Sequence, residues 1–166
     1  MGIPTWAAGQ VLTASDVNTW FVPLAKYKAS DTPRNSVTAL AADPDLTVSV
    51  AASAVYDVDL VLVYTGASAA GFFQWDFDVP ASATFQYLQI YQNSAGNAAV
   101  ESQAAGTSGA WANTTGVGNF LAMTIKGTLI VSTTPGTFDL KWAQHASSGT
   151  NTTLRTGSKM TLQRIA

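Results

Sequence analysis

Two acidic pairs have the residue types and spacing that could do chemistry: Asp57 with Asp59, and Asp76 with Asp78. Spacing of i, i+2 puts both members of a pair on one face of a strand. Glycoside hydrolysis needs two carboxylates facing each other across a cleft, about 5 to 9.5 Å apart. A calcium site needs further oxygen ligands from a loop. The flanking sequence supplies neither cleft nor loop, so both pairs are expected at a solvent-facing sheet edge. His145, the single histidine, sits beside Ser147 and Ser148, but a triad is defined by positions in space rather than along the chain. It is read as a bystander. The chain has no cysteine, which excludes disulfides and thiolate chemistry, and one histidine without a thiol makes no zinc site of ordinary type. No catalytic residue, cofactor or metal ligand is assigned, and an enzyme is not expected.

Tryptophans can stack on sugar rings. Trp75 and Trp142 share their strand faces with Phe73, Phe77, Phe138 and Leu140, which predicts core. Trp111 lies in a Gly/Ser/Thr-rich stretch and is the candidate ligand contact, with a host-surface glycan as the ligand it would suit. Residues 113–115 and 151–153 fit the glycosylation pattern, which means little without a secretory signal.

Charged residues make up 11% of the chain and hydrophobic residues 47%, against roughly 25% charged in ordinary soluble domains. Surface covered by a partner does not need charge, so the composition predicts an oligomer. The net charge of -2 comes without a basic cluster, which leaves no footprint for nucleic acid. No apolar run is long enough for a transmembrane span. The start MGIPTWAAGQ lacks a basic region and an apolar core, so it is not read as a secretory signal. Pro4, and Trp6 where a Ser or Thr is needed, speak against myristoylation.

These residues must be positioned by strands. Residues 55–64, VYDVDLVLVY, alternate with a period of two and form the organising strand. Its first half is polar on one face; its second half is apolar on both, which predicts cover on each side. Leu60 and Leu62 should then be fully buried. Further strands are predicted over 36–40, 46–50, 73–79, 85–91, 120–131 and 138–143, with a terminal strand carrying Met160 and Leu162. Residues 42–45 and 66–71 read as turns. Asn93 to Asn119 is either a functional loop or holds weak strands of its own. The expected architecture is all-β: an antiparallel β-sandwich, jelly-roll-like, over residues 34–166.

Residues 1–33 are predicted to be an arm. Thr13 and Asp16 fit a capping box, with Leu12 and Val17 as the hydrophobic staple across it. Val17, Trp20, Phe21 and Leu24 follow at helical spacing, and Pro23 ends the helix. Such a short helix needs its stripe buried elsewhere, either under its own domain or on a neighbouring chain. Trp6, Leu12, Val17, Trp20, Phe21 and Leu24 are the candidate docking residues. Residues 26–33 read as a polar connector.

Residues 6–18, WAAGQVLTASDVN, resemble the opening of many tailed-phage virion proteins, especially those of actinobacterial phages. These tend to start with a Trp, a Gly, then Leu-Thr-Ala and an Asn. Asp43-Pro44-Asp45-Leu46, residues 140–144 (LKWAQ) and Gly157-Ser158 are similar to the same group; residues 67–119 carry no match. The resemblance implies a small non-enzymatic virion protein of minor tail or fibre type. Its β-sandwich body would trimerise, its arm would meet other virion proteins, and it would be made in the host cytoplasm and carried on the particle. A capsid decoration protein, a carbohydrate-binding module using the 93–119 stretch, and a depolymerising enzyme are the alternatives, the last disfavoured by the lack of a catalytic cluster.

Overall fold

The computed structural model describes residues 5–66, 71–107, 111–114 and 116–166. The Met-Gly start and positions 67–70 of the small-residue turn lie outside these. Among the described residues there is one helix, α1 (Ala14–Trp20), and twelve strands. In chain order these are β1 (Leu24–Tyr27), β2 (Thr32–Arg34), β3 (Ala41–Val50), β4 (Val55–Gly66), β5 (Phe73–Asp78) and β6 (Thr84–Gln92). They continue as β7 (Ala98–Ala104), β8 (Trp111–Ala112), β9 (Gly116–Ile130), β10 (Gly136–Gln144), β11 (Thr152–Leu154) and β12 (Lys159–Arg164).

The smaller sheet runs β3-β10-β5-β8, and the larger runs β1-β12-β4-β9-β6-β7, with β11 alongside β4 and β2 beyond it. The antiparallel pairs β3/β10, β4/β9, β5/β8 and β6/β7 nest one inside another. That is what rolling up one long hairpin produces, and these eight strands make the four-on-four jelly-roll arrangement, to which β1, β2, β11 and β12 add on the larger sheet. The innermost turn, between β6 and β7, is closed by Asn93. Its side chain accepts from the backbone of Ala95 and Asn97, and Gly96 takes the left-handed conformation at φ 82.

The organising strand behaves as its alternation predicts. Tyr56, Val58, Leu60, Leu62 and Tyr64 of β4 face the other sheet, Leu60 and Leu62 at 0% exposure. Opposite them, Phe73, Trp75, Phe77, Phe138, Leu140 and Trp142 are buried. Two aromatic clusters fill the two ends: Tyr64–Phe73–Trp75–Trp142 and Phe77–Phe85–Tyr87–Phe138. Gly127 of β9 belongs to the second. A Cβ there would lie 2.3 Å from the Gln86 carbonyl and 2.7 Å from Tyr87 Cβ, so only glycine lets β6 and β9 close over the rings.

Several expectations fail. Val61 and Val63 are half-buried rather than covered, because their face of β4 looks away from the sandwich. Residues 36–40 are irregular, not a strand. The connector expected over 26–33 is flanked by two strands that join the larger sheet, β1 on β12 and β2 on β11. The turn expected at 42–45 lies inside β3, where the register against β10 jumps from Lys141↔Ala42 to Asp139↔Thr47. This bulge turns Asp43 inward. The 93–119 stretch holds β7, β8 and the start of β9.

Candidate functional site

The acidic pairs point in opposite directions. Asp57 and Asp59 lie on the outer face of the larger sheet, and Asp59 accepts from Lys126 of the neighbouring β9, which raises the lysine's pKa. Asp76 and Asp78 lie on the outer face of the smaller sheet, where Asp78 pairs with Lys141. A whole sandwich separates the pairs, so they cannot flank one substrate. Neither pair is at the sheet edge expected of it, because β4 and β5 are both interior strands, and Asp76 is not solvent-facing either. It is buried at 5% exposure and accepts from the backbone of Phe77 at 2.8 Å and Gly106 at 3.0 Å, pinning the turn after β7.

Trp111 is half-buried at the edge strand β8, paired with Gln74. Its ring stacks face to face on His145 at 4.4 Å and is tilted against Phe72 at 4.7 Å. The His145 Nδ1 lies 3.3 Å from Gln74 Oε1. One face of Trp111 is therefore occupied by an exposed histidine, and the two rings form one platform. The stacking gives His145 a structural neighbour 34 positions away in the sequence and says nothing about catalysis.

The arm starts as its residues dictate. Thr13 caps α1, its backbone N–H and hydroxyl donate to the Asp16 carboxylate, and the Asp16 N–H returns to the Thr13 hydroxyl. Those hydrogen bonds lower the Asp16 pKa. The helix is only seven residues long, with Phe21 as C-cap, so Leu24 falls in β1 rather than on the helical stripe. No residue of α1 is buried. Trp20 is half-covered by the Arg164 guanidinium at 4.4 Å, and its carbonyl accepts from Gln163 at 2.8 Å. Leu12, Val17, Phe21, Val22 and Leu24 remain exposed, Phe21 at 56%; Trp6 is half-buried. A groove of about 570 Å³ lies between arm and body, lined by Ser15, Val22, Leu24, Tyr56 and Arg164 among others. Arg164 pairs with Tyr56 at the start of β4, while Gly66 at its other end pairs with Gly116. Trp111 belongs to that other end, since Ala112 pairs with Phe73, which stacks on Tyr64. The strand between spans roughly 33 Å at about 3.3 Å per residue. Arm and platform are at opposite ends.

A third cluster joins residues from β3, β10 and the segment after β1. Lys28, just past β1, is completely buried, and its Nζ lies 3.0 and 2.9 Å from the two oxygens of the equally buried Asp43. It also lies 3.0 Å from the Asp45 carboxylate, which is 32% exposed. Trp142 Nε1–H donates to Asp43 Oδ2 at 3.1 Å and the Asp45 N–H donates to Asp43 Oδ1 at 3.1 Å. Arg34 lies over the Trp142 ring at 4.2 Å and donates to the carbonyls of Ala41, Ala42 and Trp142. Nothing in the spacing of a lysine in a polar stretch and an Asp-Pro-Asp signals that they meet.

Among the described residues no group of acidic or histidine side chains is placed to hold a metal ion, and no helix is long and apolar enough to cross a membrane. No family model and no curated protein matches the sequence. Among solved structures, the chain is similar to a chain of the structure of infectious bursal disease virus Gt strain, at 10% identity and a TM-score of 0.20. That match covers 99% of this chain and 45% of the other, so this chain spans less than half of that protein's length. A likeness of this size supports no inference about fold or function.

Proposed function

We propose that this protein is a non-enzymatic structural component of a virus particle, of the tailed-phage minor tail or fibre type. It docks on other virion proteins through its N-terminal arm and associates with itself, as a trimer, through the jelly-roll body. The observation that carries this reading is the arm: a properly capped helix with no buried residue, holding Val17, Phe21 and Val22 in solvent. A two-turn helix is not stable alone, and an apolar stripe left uncovered on one is what a docking element presents before it meets its partner. The body offers a second surface. Val61, Thr124, Ile90 and Val100 form one lateral row across β4, β9, β6 and β7 on the outer face of the larger sheet, with Leu88 exposed beside it. A flat row of mostly neutral β-branched residues suits packing between copies.

The test is deletion of residues 1–22, which leaves β1 intact. The truncated body should fold and keep its oligomeric mass while failing to incorporate into particles. Normal incorporation of the truncated chain would refute docking by the arm.

A capsid decoration role has the same arm and body requirements and is separated by position on the particle. A host-surface glycan contact is the second reading, favoured by the Trp111–His145 platform at the end of the body opposite the arm. Trp111→Ala and His145→Ala should each reduce adsorption to host cells at least tenfold if that platform binds. Undiminished adsorption leaves the protein as a scaffold.

A further inference from the structure

We propose that Lys28 and Asp43 form an intramolecular isopeptide bond, made by the chain itself with Asp45 as the proton relay. This goes beyond the assembly role and does not depend on it. The two groups that would react are both at 0% exposure, and the amine nitrogen is 2.9 and 3.0 Å from the two carboxyl oxygens. A nitrogen nearly equidistant from both oxygens is roughly 3 Å from Cγ, within the reach of a near-attack contact. A lone buried ion pair would need only these two residues. Here a second carboxylate sits 3.0 Å from the same nitrogen, where a general acid–base must be.

The surroundings favour the reaction. Lys28 and Asp43 are both at 0% exposure, where a charge pair is costly to hold; the proposed reaction begins as one proton passes from the ammonium to Asp43, giving amine and carboxylic acid. The nitrogen lone pair then attacks Cγ, and the carbonyl π electrons move to the oxygen. That oxygen is Oδ2, which already accepts from Trp142 Nε1–H, a fixed donor for the developing negative charge. Asp45 takes one proton from the attacking nitrogen and passes it to the departing hydroxyl. The Cγ–O bond breaks, the carbonyl re-forms, and one water leaves by the partly open side on which Asp45 is 32% exposed. One amide and one water are formed, Asp45 ends in the state in which it began, and no oxidant or cofactor is required.

The bond has a structural logic. Lys28 follows β1, the edge of the larger sheet, while Asp43 belongs to β3, the edge of the smaller. An amide between them ties the two sheets together across the open side of the sandwich. It also anchors the segment that leads to the docking arm, where a load on the arm would be transmitted.

Intact-mass spectrometry of the denatured full-length chain is the test, followed by tryptic mapping. The expected result is a mass one water below that of the sequence, with a branched peptide joining the segment that carries Lys28 to the one that carries Asp43. Trypsin should cut after Arg34, between them, and should not cut after Lys28. Lys28→Arg and Asp45→Asn, each checked for folding by near-UV circular dichroism, should return to full mass. A wild-type chain at full mass overturns the proposal, as does a water loss mapped to a cyclic imide elsewhere. Retention of the branched peptide in Asp45→Asn overturns the assignment of the relay.

Discussion

Leu62 is sealed at 0% exposure in the middle of the organising strand, and truncating it to alanine is expected to cost about 2–5 kcal/mol. The shift is read as a lower urea midpoint at unchanged slope, and a loss below about 1 kcal/mol would place the strand at the periphery. Gly127→Ala acts from the opposite direction, by overfilling. With backbone 2.3 Å from the new methyl, strands β6 and β9 must part, at a cost of about 1–3 kcal/mol or more. Three tyrosines report the same core through pH. Burial raises the phenol pKa of Tyr64 and Tyr87 well above the usual value, with Tyr91 and Asp76 respectively adding to it. Burial and then Glu101 push Tyr91 up to about 12. A raised folded value means that the folded state holds its proton more tightly. The contribution is therefore fully present below the unfolded phenol value of 10.0 and is lost as pH rises beyond it. Unfolding free energy should be insensitive to these groups up to that pH and should fall above it; a stability that held or rose there would contradict the burial.

The arm is the element whose formation was most legible and whose fate was least so. Thr13, Asp16 and Pro23 specify where a short helix starts and stops from local hydrogen bonding and sterics alone, and the structure follows them. The Asp16 pKa is lowered by its Thr13 hydrogen bonds from 3.8, so the cap is present above that pH and is lost as pH falls through the lowered value. Amide signals of residues 13–20 should broaden or shift in strongly acidic solution while the signals of β4 persist. Strands with alternating apolar residues were legible for the same reason, since one face meets the core. Elements made by long-range pairing were not. Residues 24–27 and 32–34 become strands only because β12 and β11 supply edges to pair with, and no local pattern encodes that. The bulge that turns Asp43 inward and the stacking of His145 on Trp111 belong to the same class: each depends on residues brought together by the roll of the sheet.

Across the whole molecule, the nested strand pairs close a jelly roll with the arm at one end and the aromatic platform at the other. Short alternating strands separated by turn residues implied a sandwich, but the order in which the strands pair was not readable, because many pairings satisfy the same alternation. The low charge of 11% and the neutral row on the outer face of the larger sheet are the basis of the proposed self-association. Light scattering on the full-length 17.3 kDa chain at micromolar concentration should return the mass of a trimer, and a stable monomer would contradict the packing argument. The most direct test of the central claim is to purify particles from the host that makes this chain and determine a cryo-EM map with peptide mass spectrometry of the same sample. The chain is expected in the particle in symmetry-related copies, with residues around Trp20 and Phe21 covered by a neighbouring protein and Trp111 facing outward. A chain confined to the soluble lysate and missing from the purified particles would contradict it.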